Sequence, residues 1–216
     1  MASGLPLPDE NLYVEEYRQF RTRVAELKGA WEAFQRSGEA PEGTVRPEVL
    51  ASWRRCRARG LDPYGNPNLT ALSPGDLQRR REANRLLIEA AAPFLETLAQ
   101  SVRGSGFRID LFDRELYILA QYGDEKALAE AAALGSGPGV NRGEGCAGTN
   151  AINLAAHLRR PVQLVGPEHY NATLHYWTCS AVPVFSPRKD LIAVINVAGH
   201  FSLLHKHTLG MAIAVG

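Results

Sequence analysis

The chain has 216 residues, of which 45% are hydrophobic and 22% are charged, and its 24 basic side chains nearly balance its 23 acidic ones. This composition is typical of a globular protein with one domain and an extension, and it excludes a disordered, collagen-like or acidic-tail protein. The net charge of +1 gives no overall indication of a nucleic-acid or membrane binder.

The first predicted element is a helix over residues 9–36. Its apolar and aromatic side chains recur at spacings of four and three residues, at Tyr13, Tyr17, Phe20, Val24, Leu27, Trp31 and Phe34. This heptad pattern indicates either a helix that packs on its own domain or a helix that pairs with a second subunit. Both interpretations stay open at this point.

Two further helices are predicted over residues 47–60 and 73–104, and a turn-rich linker over residues 62–68 separates them. Pro93 lies inside the longer helix. Because proline cannot donate the helical hydrogen bond and crowds the preceding turn, we expect a kink or a break near Ala92.

Beyond Gly106 the pattern changes from a helical period to short strands. Strands are predicted at residues 107–112, 116–120, 162–165, 178–185 and 191–197, and helices at residues 125–134, at residues 150–158 and from Leu204 onwards. Paired strands with helices inserted between them favour an α+β fold with an antiparallel sheet. The chain is therefore predicted to divide into an N-terminal helical region, residues 1–72, and an α+β domain, residues 73–216.

A glycine-rich stretch from Gly143 to Gly148 matches the G-x-G-x-x-G pattern of dinucleotide sites and nearly matches a P-loop. Both sites need a strand before the loop, whereas an alanine-rich helix is predicted before this one. Thr149 also stands where a P-loop has lysine. We therefore do not expect a nucleotide site here, although the loop can present backbone amides to a small polar ligand.

Neither the basic clusters nor the cysteines form a recognised functional site. Arginines at residues 54–59 and 79–85 lack interleaved aromatic residues, so a solvated or interface helix face explains them at least as well as phosphate contacts do. The cysteines Cys56, Cys146 and Cys179 form no CxxC pair, which argues against a disulfide framework and a zinc ribbon. We expect no cofactor and no metal.

The start of the chain has neither the basic residues nor the apolar stretch of a secretory signal. No apolar run reaches the roughly 18 residues that a membrane span needs. Together with the unpaired cysteines, these features predict a reduced, cytoplasmic protein without membrane association.

Three stretches, taken together, resemble a known family. They are Val49 to Cys56 followed by Gly60-Leu61-Asp62-Pro63; Gly148-Thr149-Asn150-Ala151-Ile152; and Glu168-His169-Tyr170 followed by Trp177 to Val184. In this order and at these distances they resemble the N-terminal sensory region of sigma-54-dependent transcriptional activators of the acetoin catabolism regulator and dihydroxyacetone regulator type. The resemblance spans residues 45–216.

This resemblance implies a GAF-like domain, in which a six-stranded antiparallel sheet has helices on one face and a ligand cavity on the other. In such activators an AAA+ ATPase and a helix-turn-helix DNA-binding end follow the sensor, so contact with DNA and with the sigma-54 polymerase is expected only through domains outside this chain. The chain departs from the family at Asn196, where members often have an aspartate on a pocket-side strand.

The resemblance predicts a signal-receiving domain that is not an enzyme and that binds a small-molecule effector, such as an acetoin-like ketone or alcohol, or a partner protein. We expect it to form a homodimer through the N-terminal helices. The predicted ligand-binding residues are Cys146, Thr149, Asn150, His169, Tyr170, Trp177, Cys179 and Ser180. Thr149 and Asn150 have a helix cap as their alternative role, and Tyr170 and Trp177 have the core.

Three alternative functions stay open. The first is a metal or haem sensor, and the second is a cysteine-based redox sensor. The third is a GAF-type methionine sulfoxide reductase, whose chemistry needs an attacking thiolate and a resolving cysteine such as Cys146 and Cys179.

Overall fold

In the computed structural model of the chain, the described residues are 10–65, 69–201 and 206–216. The helices are α1 (Glu10–Ser37), α2 (Pro47–Ala58), α3 (Pro74–Ala83), α4 (Arg85–Ser101), α5 (Glu125–Ala133), α6 (Glu144–Ala147), α7 (Ala151–Leu158) and α8 (Lys206–Val215). The strands are β1 (Arg108–Asp113), β2 (Ile118–Gly123), β3 (Val162–Val165), β4 (Trp177–Phe185) and β5 (Leu191–His200).

Contacts divide the chain into two compact units, Met1–Val45 and Arg46–Gly216. The boundary predicted after residue 72 stays a proposal. Helix α2 lies in the second unit, where it is hydrogen-bonded to residues of the α+β domain.

The first unit contains α1, which confirms the helix predicted over residues 9–36. Leu27, Trp31 and Phe34, from the second half of the predicted heptad pattern, are buried within a single copy of the chain. Burial of these three side chains fits the interpretation in which that part of the helix packs within its own chain. The side chains of Tyr13 and Tyr17 lie outside the described residues.

The second unit is built on one antiparallel sheet with the strand order β2-β1-β5-β4-β3. The predicted hairpin of β1 and β2 is confirmed, and so are the three later strands. The sheet has five strands among the described residues, not the six that the resemblance implied. The segment around Val140 makes isolated bridges only, since Val140 pairs with Ala71 and Asn141 with Tyr117.

One face of the sheet, here called the helix face, packs against α4 and α8. Alternate residues of the central strands point to it, and they form a hydrophobic cluster with Leu95 and Leu98 of α4 and Ala212 of α8. The strand residues in this cluster are Ile109, Leu111, Val182, Ala193, Ile195 and Val197. Since neighbours in a strand point to opposite faces, Arg108, Asp110, Cys179 and Asn196 lie on the other face, here called the cavity face.

Two predicted features of the helices need correction. Pro93 lies within α4 without ending it, whereas the predicted long helix breaks earlier, at Asn84. Asn84 has a non-helical φ of −107° and ψ of 17°, and its side chain donates to the carbonyl of Arg80, so it ends α3. The predicted start of the last helix, Leu204, and residues 66–68 of the predicted linker lie outside the described residues.

Among the described residues, no helix combines the length and the apolar character that crossing a membrane requires.

The close packing of Gly199 against Phe107 on the helix face generates a testable prediction. A Cβ at Gly199 would lie 2.6 Å from two ring atoms of Phe107, so we expect Gly199→Ala to lower the free energy of unfolding by about 1–3 kcal/mol. A Cβ at Gly145 in α6 would meet nothing within 4 Å, so Gly145→Ala is the matched control and should change stability little. Urea unfolding followed by circular dichroism measures both, and equal stability of the two variants would contradict the packing.

Candidate functional site

The cavity face carries a cluster of buried polar side chains around Asp110. Arg108 Nε lies 3.2 Å from Asp110 Oδ1, and Gln121 Nε2 donates to the same oxygen at 2.7 Å. Asn196 Nδ2 donates to the other carboxylate oxygen at 3.1 Å. Asp110, Arg108 and Asn196 are each at least 94% buried. The Asp110 carboxylate therefore satisfies buried donors on β1, β2 and β5.

Arg142 adds a second buried guanidinium to this cluster. Its Nη2 donates to Ser136 Oγ, and its backbone carbonyl accepts from the side chains of Asn150 and Asn153. Burial and the neighbouring charge of Arg108 lower the pKa of Arg142 to about 10, so the group is still protonated at neutral pH. None of the described acidic side chains forms an ion pair with Arg142.

A small cavity of about 20 Å³ lies beside these two arginines and is called the inner cavity here. Arg108, Ser136 and Arg142 line its polar side. Leu134, Thr173 and Trp177 line the inner cavity and also an open groove of about 520 Å³, the outer groove. These three side chains therefore separate the inner cavity from the outer groove.

Trp177 is the residue that links the predicted site to this geometry. Its indole is 92% buried, and the guanidinium carbon of Arg108 lies 4.5 Å from the ring centre. This stacking is a cation–π contact, which orients both side chains. Trp177 is thus the predicted residue that borders both the inner cavity and the outer groove.

Cys179 and Ser180 lie on opposite faces of β4. Cys179 is on the cavity face, where burial raises the pKa of its thiol to about 11. A thiol with that pKa is almost entirely protonated at neutral pH, and a protonated thiol is a poor nucleophile. Ser180 is on the helix face and accepts a hydrogen bond from Gln163 Nε2 at 2.9 Å.

His169 and Tyr170 are buried and do not line the inner cavity. His169 Nδ1 lies 2.9 Å from the carbonyl of Gly166, and burial lowers the pKa of the ring to about 4, so the imidazole is neutral at pH 7. The Tyr170 hydroxyl donates to the carbonyl of Leu61, and burial raises its pKa to about 12.

The other predicted site residues make local hydrogen bonds. Asn150 caps α7, because its Oδ1 accepts from the backbone N–H of Asn153 at 3.0 Å, which agrees with the alternative role given for it above. The Cys146 thiol lies 3.3 Å from the carbonyl of Gly143. Thr149 Oγ1 lies 2.7 Å from Ser52 Oγ of α2. Direct contact of these residues with a ligand stays a prediction.

The three stretches that carry the family resemblance meet where α2 packs on the α+β domain, and we call this place the α2 junction. Glu144 is its centre: it accepts two hydrogen bonds from Arg55, one from Arg59 and one from Ser52. Two arginines of the first basic cluster, Arg55 and Arg59, therefore bind a carboxylate of the same chain. The glycine-rich loop, which contains Glu144, is held at the same junction.

The opposite end of the α2 junction is built on Glu168. The indole Nε1 of the fully buried Trp53 donates to the backbone carbonyl of Glu168 at 2.9 Å. Arg46 Nε forms an ion pair at 2.8 Å with the Glu168 carboxylate, whose second oxygen accepts from the N–H of Val165. The motif residues thus attach α2 to the α+β domain, and this role differs from lining a ligand cavity.

Sequence reasoning missed the polar side chains that line or support the inner cavity: Arg108, Asp110, Gln121, Ser136 and Arg142. A signal existed in β1, because the charged residues Arg108 and Asp110 alternate there with the apolar residues Ile109 and Leu111. This alternation puts the two charged side chains together on one face of the strand. Arg142 gave no such signal, since only the path of its loop brings it to the sheet.

Within residues 10–65, 69–201 and 206–216, no group of three or more histidine, cysteine, aspartate or glutamate side chains has a geometry that could hold a metal ion.

Comparison with known proteins identifies the family. The family described as the N-terminal domain of MimR matches residues 24–202. The chain belongs to this family. Its membership rests on a match that covers most of the chain, including the α2 junction and the cavity face.

Two curated relatives show the range of this family. The chain is 31% identical to the acetoin dehydrogenase operon transcriptional activator AcoR of Bacillus subtilis, over 86% of the chain and 31% of the relative. It is 29% identical to the propane 2-monooxygenase operon transcriptional activator MimR of Mycolicibacterium goodii, over 78% of the chain and 28% of the relative. The chain therefore spans less than a third of the length of these activators.

A solved structure has the same fold as this chain. The crystal structure of the Escherichia coli DhaR(N)–DhaL complex contains a chain that superposes with a TM-score of 0.75, at 22% identity, over 79% of this chain and 57% of the other. At this level of identity the likeness concerns the fold.

The α2 junction predicts a specific dependence of stability on pH. Burial opposes ionisation of Glu144, but hydrogen bonds from Arg55 and Ser52 and the charges of Arg55 and Arg59 outweigh it and lower the pKa of this carboxyl group. A lowered pKa in the folded state contributes stability above the unfolded value of about 4.3, and this contribution is lost as the pH falls through the folded value. Glu144→Gln should therefore cost about 1–3 kcal/mol at pH 7 and much less near pH 3.5.

Urea unfolding at pH 7, 5 and 3.5 measures this difference. Glu82→Gln is the matched control, because Glu82 is 70% exposed and its only described partner is Arg85 at 3.6 Å. A cost of Glu144→Gln that stays constant over the three pH values would show that the carboxylate charge does not stabilise the junction.

Proposed function

We propose that this chain is the sensory domain of a sigma-54-dependent transcriptional activator. In this proposal it binds a small metabolite or a partner protein and controls an AAA+ ATPase that lies outside the chain. Its family membership and its relatives, which are operon activators much longer than the chain, support a regulatory role. An antiparallel sheet with a covered helix face and a cavity on the opposite face supports the sensory part of the role.

The single observation that carries the small-molecule version is the inner cavity beneath Trp177. It combines an aromatic wall with a few buried polar groups, as the lining of small-ligand sites does, and it adjoins the outer groove of about 520 Å³. Three side chains lie between the cavity and the outer groove, so a ligand larger than the cavity displaces them on entry. Since the inner cavity of about 20 Å³ is smaller than any metabolite, an effector such as a small ketone, alcohol or acid would also occupy the outer groove of about 520 Å³.

The partner-protein version rests on a different observation. The solved structure described above is that of a complex named DhaR(N)–DhaL, so in that crystal the similar chain occurs together with a second protein. On this chain the outer groove offers a surface for such a partner, with Tyr176 67% exposed beside Trp177 and His200. A metabolite and a partner protein that both act at Trp177 would use neighbouring surfaces.

We expect Trp177→Ala to weaken binding of a small effector. The substitution removes the aromatic wall of the inner cavity and should cost about 1–3 kcal/mol of binding, which is roughly tenfold to a hundredfold in affinity. A thermal-shift screen of acetoin, other small ketones and alcohols, and small acids selects the effector, and calorimetry then compares wild type with Trp177→Ala. Tyr64→Ala, at a tyrosine that is 63% exposed and outside the cavity, is the control.

An effector that binds Trp177→Ala and wild type equally would place the site elsewhere. Micromolar binding of ATP or NAD that Trp177→Ala leaves intact and Gly145→Val abolishes would overturn the sensory assignment, because it would assign a nucleotide site to the glycine-rich loop.

We also propose that the chain forms a homodimer through its N-terminal helices. Leu27, Trp31 and Phe34 of the heptad pattern are buried within one copy, so the support comes from helix α4, which exposes large apolar side chains, with Leu86 73% and Phe94 60% exposed. Water contact of such side chains is unfavourable, and two-fold pairing is the common way in which soluble proteins cover them.

Light scattering at tens of micromolar should therefore give a dimer mass for the full chain. Phe94→Glu should shift the distribution towards the monomer, because it places a charge in the pairing surface, whereas Arg188→Glu, at an exposed residue of the β4–β5 turn, should not. A monomer mass for the unaltered chain would contradict the homodimer.

A further inference from the structure

The inner cavity contains more positive than negative charge. Its polar surroundings hold two guanidinium groups, those of Arg108 and Arg142, and one described carboxylate, that of Asp110, which is shared with Gln121 and Asn196. The sum is one positive charge in excess inside a region that is at least 94% buried. Burying a charge without a counter-ion is costly, so a site of this kind is completed by an anion.

One hydrogen-bond donor of the two guanidinium groups also has no partner among the described residues. Among the described residues, Arg108 Nη1 is a fully buried atom that makes no hydrogen bond, although Arg108 lines the inner cavity and its Nε is used by Asp110. A buried unpaired donor costs free energy comparable to a lost hydrogen bond. The cation–π contact with Trp177 orients the guanidinium but does not satisfy this N–H.

We infer that the inner cavity binds the carboxylate of a small organic acid, with Arg108 and Arg142 as its ligands. This inference rests on the proposed sensory function and gives the chemical class of its effector. A carboxylate carries one negative charge, which matches the excess of one positive charge, and planar guanidinium groups bind carboxylates with two parallel hydrogen bonds. A phosphate at neutral pH carries more negative charge than the site can neutralise.

The size of the inner cavity sets how such an acid would bind. A volume of about 20 Å³ holds little more than one water molecule, so a whole metabolite does not fit, and a carboxylate head group enters only if the surrounding side chains move apart. The remaining carbon atoms of the acid then extend past Trp177, Leu134 and Thr173 towards the outer groove, whose walls are largely apolar. Short acids with a small apolar body fit this division.

The experiment compares acids with their neutral amides on the full chain. Lactate and pyruvate are the first probes, lactamide and pyruvamide are isosteric neutral controls, and inorganic phosphate and acetoin test the other chemistries. Calorimetry should show saturable binding of at least one short acid in a panel of two to six carbon atoms, with its amide weaker by about tenfold or more, because a charge-assisted pair is lost.

Variants then connect this selectivity to the cavity. Arg142→Gln and Arg108→Gln should each weaken binding of the acid by about tenfold or more, and Arg188→Gln, at an exposed arginine far from the cavity in sequence, should leave it unchanged. The wild-type comparison of acid with amide needs no variant, so it decides the inference even if one substitution impairs folding. Circular dichroism identifies such a variant.

The outcomes separate this inference from the proposed function. Amides or acetoin that bind as well as the acids would overturn the anionic site and leave the sensory function standing with a neutral effector. Phosphate that binds more tightly than every acid would overturn the carboxylate assignment. Absence of binding by every acid of the panel would overturn the inference as well, whereas the sensory function would still be tested by the wider effector screen and by a partner protein.

Discussion

The buried carboxylate of Asp110 is the interaction on which the cavity face depends. It lies on β1, between β2 and β5, and it accepts from one side chain on each of these three strands: Arg108, Gln121 and Asn196. An apolar residue there would leave these donors unpaired in a region that excludes water. Polar groups are thus retained on a face that could otherwise pack as a second hydrophobic layer, and the inner cavity lies beside them.

The family motifs mark a different part of the domain. Ser52 and Trp53 of α2 contact Thr149 and Glu168, which come from the other two motif stretches, so the resemblance reports the anchoring of α2. Anchoring needs defined partners at defined spacings, because a buried hydroxyl or indole N–H without a partner is costly. Arg108, Ser136 and Arg142, which line the inner cavity, lie outside the three motif stretches. This explains why the motifs predicted the fold well and the cavity-lining residues poorly.

The sequence predicted the secondary structure better than it predicted the residues that line the inner cavity. Strand and helix positions were predicted well where periodicity is strong, as in β1, β5 and α1, since these patterns reflect burial along one element. The break at Asn84 was missed because a capping side chain, not proline, ended the helix. Trp177 was predicted from the resemblance, whereas Arg142 was not, because its approach to Arg108 depends on long-range chain folding that no local pattern encodes.

The cavity and the α2 junction are connected through a short segment of the chain. Arg142 reaches the inner cavity with its guanidinium, and Glu144, two residues later, holds Arg55 and Arg59 of the α2 region. The backbone between them is fixed by Asn150 and Asn153, whose side chains donate to the carbonyl of Arg142. A displacement of the Arg142 backbone must therefore either break these buried hydrogen bonds or carry the start of α7 with it. Because an unpaired buried amide is costly, joint movement of this segment and α7 is favoured, and Glu144, two residues after Arg142, then moves as well.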